Sequence, residues 1–265
     1  MSAARFAGQT IIVTGAGRGL GEAIARRFAA EGGTVMLVGR QRAPLEAVAD
    51  TLTAAGGRAW GHVADIARAE QVQGVVAAAL ALSGRIDVLV NNAGVVDDAT
   101  PFLEMTEAQW DRVLDINLKG CFLLSQAVAR AMVHGGGGVI LHNASIAGMN
   151  TDGPYANYCA SKAGLLALNR SMAVELARYH IRVNAVSPGY TQTVMTEAAV
   201  PPAVFHHMQT AFDRVPLGRL LTTDEVAGAF AFLASPDAAG ITGANIVVDG
   251  GLTANWYILE TLPAA

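Results

Sequence analysis

Short runs of β-branched and other apolar residues alternate with longer helical patterns along this chain of 265 residues. Seven such runs predict strands at 10–14, 34–38, 59–63, 88–91, 139–141, 182–186 and 245–248. The stretches between them predict helices near 19–31, 42–55, 68–83, 107–134, 157–179 and 223–234. Because helical crossovers join parallel strands and pack on the sheet, this order predicts an α/β fold with one parallel sheet covered on both faces.

The chain has no second compositional regime, linker or internal repeat, so we expect a single domain over residues 1–265. Hydrophobic residues make up 52% of it, which predicts a substantial buried core. Residues 192–218 break the alternation with three prolines among apolar residues, and we interpret them as a substrate lid. The short apolar tail 253–265, which includes Trp256 and Tyr257, is expected to pack against another subunit, with a frayed end as the alternative.

Charge and composition argue against several classes of function. The net charge is −4 with no long basic run, so we expect no nucleic-acid partner. No charge-free apolar run reaches about 18 residues, so we expect no membrane span. Two cysteines, Cys121 and Cys159, together with the absence of a recognisable signal peptide, predict a cytoplasmic protein with reduced thiols. His206 and His207 lack further ligands at convergent spacing, so no metal is expected.

Glycines follow directly after the first predicted strand and precede a predicted helix. Backbone N–H groups approach a pyrophosphate closely where side chains are missing, and a helix N-terminus stabilises the anion. The position between strand and helix is the one that a dinucleotide site requires, so we predict a phosphate-binding loop, with a purely structural turn as the alternative. The run reads Thr14-Gly15-Ala16-Gly17-Arg18-Gly19-Leu20-Gly21.

Arginine, not an acid, follows the second predicted strand, in Gly39-Arg40. An acidic residue at this point accepts a hydrogen bond from the 2′-hydroxyl of NAD, whereas arginine favours the 2′-phosphate of NADP. Arg18 in the glycine loop adds a second guanidinium that can pair with a phosphate. We therefore favour NADP(H) as the cofactor, with NAD(H) as the alternative; two solvated arginines would explain the same pattern.

Tyr158 and Lys162 stand four residues apart in a predicted helix, and Lys119 is the only other lysine of the chain. Positions i and i+4 share one helix face, so the ammonium can lie beside the phenol. A nearby cation stabilises the phenolate, which would let Tyr158 donate and accept a proton. Taken by itself, the pair is equally consistent with an exposed helix contact.

Four motifs together resemble the short-chain dehydrogenase/reductase family over almost the whole chain. The resemblance implies a Rossmann-type doubly wound parallel sheet of about seven strands and an oxidoreductase that acts on CH–OH groups with NAD or NADP. The motifs are Thr14-Gly15-x-x-x-Gly19-x-Gly21, Asn91-Asn92-Ala93-Gly94, the set Asn117, Ser145, Tyr158 and Lys162 in that order and approximate spacing, and Pro188-Gly189.

The same resemblance implies a role for each catalytic residue. Tyr158 would exchange a proton with the substrate oxygen, and Lys162 would stabilise its phenolate and bind the nicotinamide ribose. Ser145 would donate a hydrogen bond to the substrate oxygen, as groups that stabilise developing negative charge do. Asn117 would hold a water that connects Lys162 to solvent.

Other residues are expected to bind the cofactor or shape the substrate pocket. The cofactor set comprises Gly15, Arg18, Gly19, Leu20, Gly21, Arg40, Asp65, Ile66, Asn91, Ala93, Gly94, Tyr158, Lys162, Pro188, Gly189, Thr191 and Thr193. Two of these have an equally plain alternative, a helix N-cap for Asp65 and a loop cap for Thr193. The pocket set comprises Ser145, Ile146, Met149, Tyr155, Tyr190 and Met195.

The leading functional hypothesis is an NADP(H)-dependent carbonyl reductase or alcohol dehydrogenase for a small, mainly apolar substrate. The first alternative is a 3-oxoacyl-[acyl-carrier-protein] reductase, in which Arg130 and Arg178 would dock an acidic carrier. The second is a nucleotide-binding protein without catalytic activity. The family resemblance further implies a homotetramer, or a homodimer, built through the two long helices and the last strand.

Overall fold

Seven parallel strands form a single sheet in the computed structural model, which describes residues 4–151, 153–198 and 200–255. The sheet order is β3-β2-β1-β4-β5-β6-β7, and each neighbouring pair is parallel. The predicted fold class is confirmed. The strands are β1 (Thr10–Thr14), β2 (Thr34–Gly39), β3 (Arg58–Val63), β4 (Val88–Asn91), β5 (Gly138–Asn143), β6 (Ile181–Pro188) and β7 (Asn245–Val248).

Helices cover both faces of the sheet. They are α1 (Gly19–Ala30), α2 (Arg42–Ala54), α3 (Ala69–Ser83), α4 (Glu107–Leu114), α5 (Gly120–Gly135), α6 (Ala156–Leu176), α7 (Val194–Ala198), α8 (Pro202–Thr210) and α9 (Thr223–Ala234). Residues 107–135 are helical throughout, as predicted. A π-helical turn, Asp115–Lys119, lies between α4 and α5, where the Gly120 N–H bonds to the Asp115 carbonyl five residues back.

The side chains of β1 alternate between two apolar layers. Ile11 and Val13 belong to the layer that includes residues of α1, α2 and α9, whereas Ile12 belongs to the layer that includes residues of α3 and α5. This period of two is what a strand buried on both faces requires. The strand order reverses between β1 and β4: the chain builds outward from β1 to β3 and then returns, so that β4 pairs with the other side of β1. A crevice opens outside the carboxyl ends of the strands at such a switch point.

The predicted lid, residues 192–218, contains α7 and α8 and has an apolar cluster of its own. Met208, Phe212 and Val215 are buried there together with Leu220, and Tyr190 stacks edge-to-face on Phe212 with ring centroids 5.3 Å apart. The segment therefore packs as a small layer over the end of β6. Most of the predicted apolar tail, from Trp256 onward, lies outside the described residues. No helix in the described part of the chain is both long and apolar enough to span a membrane.

An ion-pair cluster fastens the segment before β1 to the end of α1. The Glu31 side chain is only 1% exposed, and its two oxygens accept hydrogen bonds from Arg5 at 2.6 and 2.9 Å. Arg27, one helical turn before Glu31, donates to the same carboxylate. Phe6 packs edge-to-face on Phe28 beside this cluster, with ring centroids 4.8 Å apart. A buried charge is tolerated because both guanidiniums neutralise it.

We predict that Glu31→Gln lowers the free energy of unfolding by about 2 kcal/mol at pH 7, because two charge-assisted hydrogen bonds are weakened. Burial raises the pKa of Glu31, but the hydrogen bonds from Arg5 and Arg27 outweigh it, so the folded-state pKa lies below the ordinary value. A lowered pKa gives stability that is present above the unfolded value, about 4.3, and is lost as pH falls through the folded value.

Thermal unfolding of both proteins between pH 3 and pH 7 measures this effect. The difference in Tm should be widest near pH 7 and shrink below about pH 4. Glu104→Gln is the matched control, because its exposed carboxylate has no described hydrogen bond or ion pair. An equal loss of Tm in Glu104→Gln contradicts the role assigned to Glu31. So does a difference in Tm between Glu31→Gln and the wild type that does not shrink in acid.

Candidate active site

A cleft of about 1370 Å³ lies at the carboxyl edge of the sheet, between the glycine loop, the ends of β4, β5 and β6, and the segment that carries α7 and α8. It is large enough for a dinucleotide together with a small second molecule. Most of the predicted site residues line it: Gly15, Arg18, Gly19, Leu20, Gly21, Arg40, Asp65, Ile66, Ala93, Gly94, Ser145, Ile146, Tyr155, Tyr158, Lys162, Pro188, Gly189, Tyr190, Thr191, Thr193 and Met195.

Three predicted residues do not line the cleft: Asn91, Met149 and Asn117, the last of which is described below. The Asn91 side chain points under the sheet edge, where its Nδ2 donates to Ser125 Oγ at 2.8 Å and lies 3.3 Å from His142 Nδ1. Alternation along β4 explains this, since Asn91 faces the same layer as Leu89. The Met149 side chain is 44% exposed, and Asn245 Nδ2 donates to its sulfur at 3.2 Å. Its expected place in the substrate pocket stays a prediction.

The glycine loop is a backbone cradle with no room for a side chain at Gly15 or Gly21. A Cβ on Gly21 would overlap the Gly15 carbonyl oxygen, and one on Gly15 would lie 2.9 Å from Ala93 Cα. Gly15 also has φ +64°, a conformation that glycine adopts without strain. The N-terminus of α1 begins inside this cradle, at Gly19. The loop therefore fits the pyrophosphate of a dinucleotide, which needs bare N–H groups and a helix N-terminus.

Asn92 was missed in the sequence, although it belongs to the Asn-Asn-Ala-Gly motif. It lines the cleft, and its Nδ2 donates to the carbonyls of Thr14 at 2.9 Å and Gly15 at 3.3 Å. Thr14 Oγ1 in turn accepts from the N–H groups of Asn92 and Ala93, and Asn143 Nδ2 donates to Asn92 Oδ1 at 3.0 Å. Asn92 thus connects the ends of β1, β4 and β5 through hydrogen bonds.

Two guanidiniums stand at the outer end of the cleft. Arg18 and Arg40 are exposed and line it, and neither has an ion pair with a carboxylate in the described residues. This donor set fits the 2′-phosphate of NADP, which arginine binds with two parallel hydrogen bonds. Asp65 lines the cleft too and closes a turn, since its Oδ1 accepts from Ala67 N–H at 3.0 Å. The N-cap of α3 is Arg68, so the N-cap alternative for Asp65 is wrong.

Tyr158 and Lys162 occupy the first two turns of α6 and share one face. The Lys162 ammonium is 5.6 Å from the centroid of the Tyr158 ring and donates to the Asn143 carbonyl at 2.7 Å. Lys162 is 3% exposed, so its charge is largely withdrawn from solvent. Charge interactions are stronger in such surroundings than in water. The ammonium can therefore stabilise a phenolate beside it.

Two ionisable side chains, His142 and Cys121, are buried near Lys162. Burial and, to a smaller extent, the positive charge of Lys162 lower the pKa of His142 to about 3. Burial raises the pKa of Cys121 to about 11, against a smaller opposite effect of Lys162. At neutral pH both side chains are uncharged. Lys162 therefore supplies the positive charge next to Tyr158 without a competing cation or thiolate from these two buried residues.

Ser145 follows β5 and faces the same part of the cleft. Its Oγ accepts a hydrogen bond from Ala147 N–H at 3.1 Å, which fixes the side chain at the start of a short 3₁₀ turn. Because the oxygen accepts this bond, the hydroxyl hydrogen is available to an acceptor in the cleft. Ser145 can thus donate to an oxygen that Tyr158 also reaches.

Asn117 lies behind the cleft and does not line it. Its Oδ1 accepts from Val95 N–H at 2.8 Å, and its Nδ2 donates to the Val95 carbonyl at 2.9 Å and to Ser161 Oγ at 3.1 Å. A Cβ on Gly94 would lie 3.3 Å from Asn117 Oδ1 and 3.7 Å from Lys162 Nζ, so both side chains approach the same side of Gly94. The expected role in holding a water stays a prediction.

The turn after β6 completes the inner end of the cleft. A Cβ on Gly189 would be 2.7 Å from Asp249 Cβ, so the backbone can pass there only as glycine. Thr191 Oγ1 donates to the Gly189 carbonyl at 3.1 Å. Thr193 Oγ1 accepts from Thr196 N–H at 3.2 Å, as the cap alternative predicted, and the residue also lines the cleft.

No cluster of three or more His, Cys, Asp or Glu side chains suited to a metal ion occurs in residues 4–151, 153–198 and 200–255. His207 has a distant acidic neighbour, with its Nε2 4.0 Å from Asp213 Oδ2.

The chain is similar over most of its length to one protein family and to several known proteins. The model of a family described as enoyl-(acyl carrier protein) reductase matches residues 15–253. A 3-oxoacyl-[acyl-carrier-protein] reductase of Thermotoga maritima is 38% identical, over 94% of this chain and 99% of its own length. Galactitol 2-dehydrogenase (L-tagatose-forming) of Cereibacter sphaeroides is 40% identical, over 94% and 96%. The crystal structure of a short-chain type dehydrogenase/reductase from Mycobacterium marinum superposes with a TM-score of 0.87 at 37% identity, over 96% and 99%.

Gly21→Ala should weaken binding of NADPH about tenfold or more, because the added methyl group pushes the Gly15 carbonyl and the loop out of place. Fluorescence titration measures the Kd, and thermal unfolding shows that the variant is folded. Gly74→Ala in α3 is the matched control: its Cβ would meet nothing closer than His62 Nε2 at 4.0 Å, and alanine favours a helix by about 1 kcal/mol. Unchanged NADPH affinity in Gly21→Ala would contradict the cradle.

Proposed function

The chain belongs to the short-chain dehydrogenase/reductase family of oxidoreductases, which act on CH–OH groups, and from that premise we propose an NADP(H)-dependent enzyme that interconverts a secondary alcohol and a ketone. The observation that carries this proposal is the position of the buried Lys162 ammonium beside the Tyr158 ring, at the bottom of the cleft that Ser145 also lines. The substrate we propose is small and mainly apolar.

Each of these residues has one task in the reaction. Ser145 holds the substrate oxygen through its free hydroxyl hydrogen, and Tyr158 gives that oxygen a proton during ketone reduction or takes it during alcohol oxidation. Lys162 stabilises the phenolate that remains on Tyr158. When bound, the nicotinamide would supply the hydride for ketone reduction and accept it in alcohol oxidation. The cleft walls hold the reactants in the geometry that the reaction needs.

The residues that would hold NADP are those of the cradle and the outer guanidiniums. The glycine loop and the N-terminus of α1 suit the pyrophosphate, while Arg18 and Arg40 suit the 2′-phosphate. Lys162 and the turn at Pro188-Gly189, which line the same cleft, suit the nicotinamide end. NAD(H) is the alternative, and the lack of an acid at the end of β2 speaks against a preference for it.

The apolar substrate is supported by four largely apolar side chains that line the same cleft as Ser145: Ile146, Tyr155, Tyr190 and Met195. Such side chains favour a hydrocarbon body over a strongly charged one. Met195 is 48% exposed, so a bound substrate would cover apolar surface that solvent now reaches.

Reduction of a 3-oxoacyl group on a carrier protein is the second candidate, because relatives with that name cover almost the whole chain. Arg130 and Arg178 are exposed but do not line the cleft. Arg178 follows Tyr158 by twenty residues along α6 and its last turn, a distance of about 30 Å at 1.5 Å per residue. Arg214 lines the cleft, so it is better placed than Arg130 or Arg178 to contact a carrier at the cleft.

We further propose a homotetramer, with a homodimer as the alternative, located in the cytoplasm. Exposed apolar side chains on the expected contact elements support an assembly: Phe122 on α5, Val174 on α6 and Val247 on β7. Both cysteines are free thiols, which fits a reducing compartment.

Tyr158→Phe should lower kcat for ketone reduction by about 10²- to 10⁴-fold, because the proton donor is lost while the ring remains. NADPH oxidation with a panel of neutral ketones and one 3-oxoacyl carrier thioester measures it. Tyr179→Phe is the matched control, since this hydroxyl lies at the far end of α6.

Full activity in Tyr158→Phe would contradict the mechanism. A wild type that turns over the thioester far faster than every ketone would favour the carrier reductase. A wild type that binds NADPH tightly and oxidises it with none of the panel would favour a protein without catalytic activity.

The double variant Arg18→Ala/Arg40→Ala should raise the Kd for NADPH about 10- to 100-fold and leave the Kd for NADH within about twofold, because only NADPH carries the 2′-phosphate. Arg42→Ala is the matched control: this arginine is next but one to Arg40, does not line the cleft and pairs with Glu46 at 3.5 Å. An equal loss for both nucleotides would contradict the proposed NADP preference.

A further inference from the structure

The first turn of α6 carries Tyr158 but has no ordinary cap. The N-cap residue is Tyr155, whose side chain makes no capping bond, so the first N–H groups of the helix need other acceptors. Asn157 supplies one of them: its Oδ1 accepts from the Tyr158 N–H at 2.8 Å. The backbone of the proposed acid is thus held by the side chain of the residue before it.

The other end of the Asn157 amide is fastened to a different part of the fold. Its Nδ2 donates to the Gln109 carbonyl in α4 at 3.1 Å and lies 3.5 Å from Asp97 Oδ2. The residue is only 2% exposed, so solvent does not replace these partners. A buried amide with both ends bonded to fixed groups has one orientation.

Asp97 is anchored in its turn. Its carboxylate is 11% exposed and forms an ion pair with Arg112 of α4. It lies two residues after Val95, which Asn117 binds through both backbone groups. The loop after β4 is therefore fixed at Val95 by Asn117 and at Asp97 by Arg112, and Asn157 connects it to the start of α6.

We propose that Asn157, held by Gln109 and Asp97, is the positioning residue that sets Tyr158 against Lys162 and Ser145. This inference rests on the proposed function. Helix ends fray, and the ring of Tyr158 must stay near an ammonium that is itself fixed by the Asn143 carbonyl. A displacement of about 1 Å can cost about 100-fold in rate.

Asn157→Ala tests the proposal through two measurements. Hydrogen–deuterium exchange of a peptide that covers residues 155–160 should be faster than in the wild type, because the Tyr158 N–H loses its acceptor. kcat should fall about 10- to 100-fold while the Kd for NADPH stays within about twofold. The rising limb of the pH profile for alcohol oxidation should move to higher pH, since a displaced phenolate lies farther from Lys162.

Asn169→Ala is the matched control on the same helix. Asn169 is equally buried, and its Nδ2 donates to the Ala244 carbonyl at 3.2 Å, away from the cleft. Its loss should lower Tm but leave the exchange at 155–160, kcat per folded enzyme and the pH profile unchanged. A fall in the folded fraction alone would reduce activity without moving the pH profile.

Two substitutions of Asp97 test whether the acceptor oxygen for the Asn157 amide is what this residue contributes. Asp97→Asn keeps an acceptor for the Asn157 amide and should retain kcat within about threefold, whereas Asp97→Ala should lose about tenfold or more. Unchanged exchange at 155–160 in Asn157→Ala, or the same change in Asn169→Ala, would overturn the positioning role. Absence of turnover by the wild type would instead overturn the proposed function, and the exchange measurement would still decide about Asn157.

Discussion

The buried amide of Asn117 sets the relation between the two halves of the site. It satisfies both backbone groups of Val95 and bonds to Ser161 on α6, so it ties the loop after β4 to the helix that carries Tyr158 and Lys162. An unmade hydrogen bond in such surroundings costs about 1–3 kcal/mol, which leaves one favourable arrangement. Asn117 itself lies in the π-helical turn Asp115–Lys119 and is buried there.

The charge that Tyr158 experiences depends on the groups that surround Lys162. The ammonium is buried, its described hydrogen bond goes to a backbone carbonyl, and His142 and Cys121 stay neutral near it. A cation bonded to a neutral carbonyl keeps its full charge for the neighbouring phenol, whereas a carboxylate partner would cancel it. Lysine suits this position because its ammonium is a compact point charge, whereas a guanidinium is a broad planar group.

The sequence predicted the sheet and most of the site because both depend on local patterns. β1, β4 and β7 have the predicted bounds, while β5 and β6 extend further, since Asn143 and Ser187 continue the ladder although they are polar. The π turn is a change of hydrogen-bond register that no propensity records. Asn91 was placed on the wrong face of β4, and Asp97 and Asn157, sixty residues apart, meet only through tertiary packing.

A crystal structure of the enzyme with NADP⁺ and the alcohol product of an accepted ketone tests the central claim most directly, because it locates the substrate oxygen. The account predicts that this oxygen lies within hydrogen-bonding distance of both Tyr158 Oη and Ser145 Oγ, with Lys162 still bonded to the Asn143 carbonyl. An alcohol whose oxygen is bound by other residues, with Tyr158 turned away from it, would contradict the account.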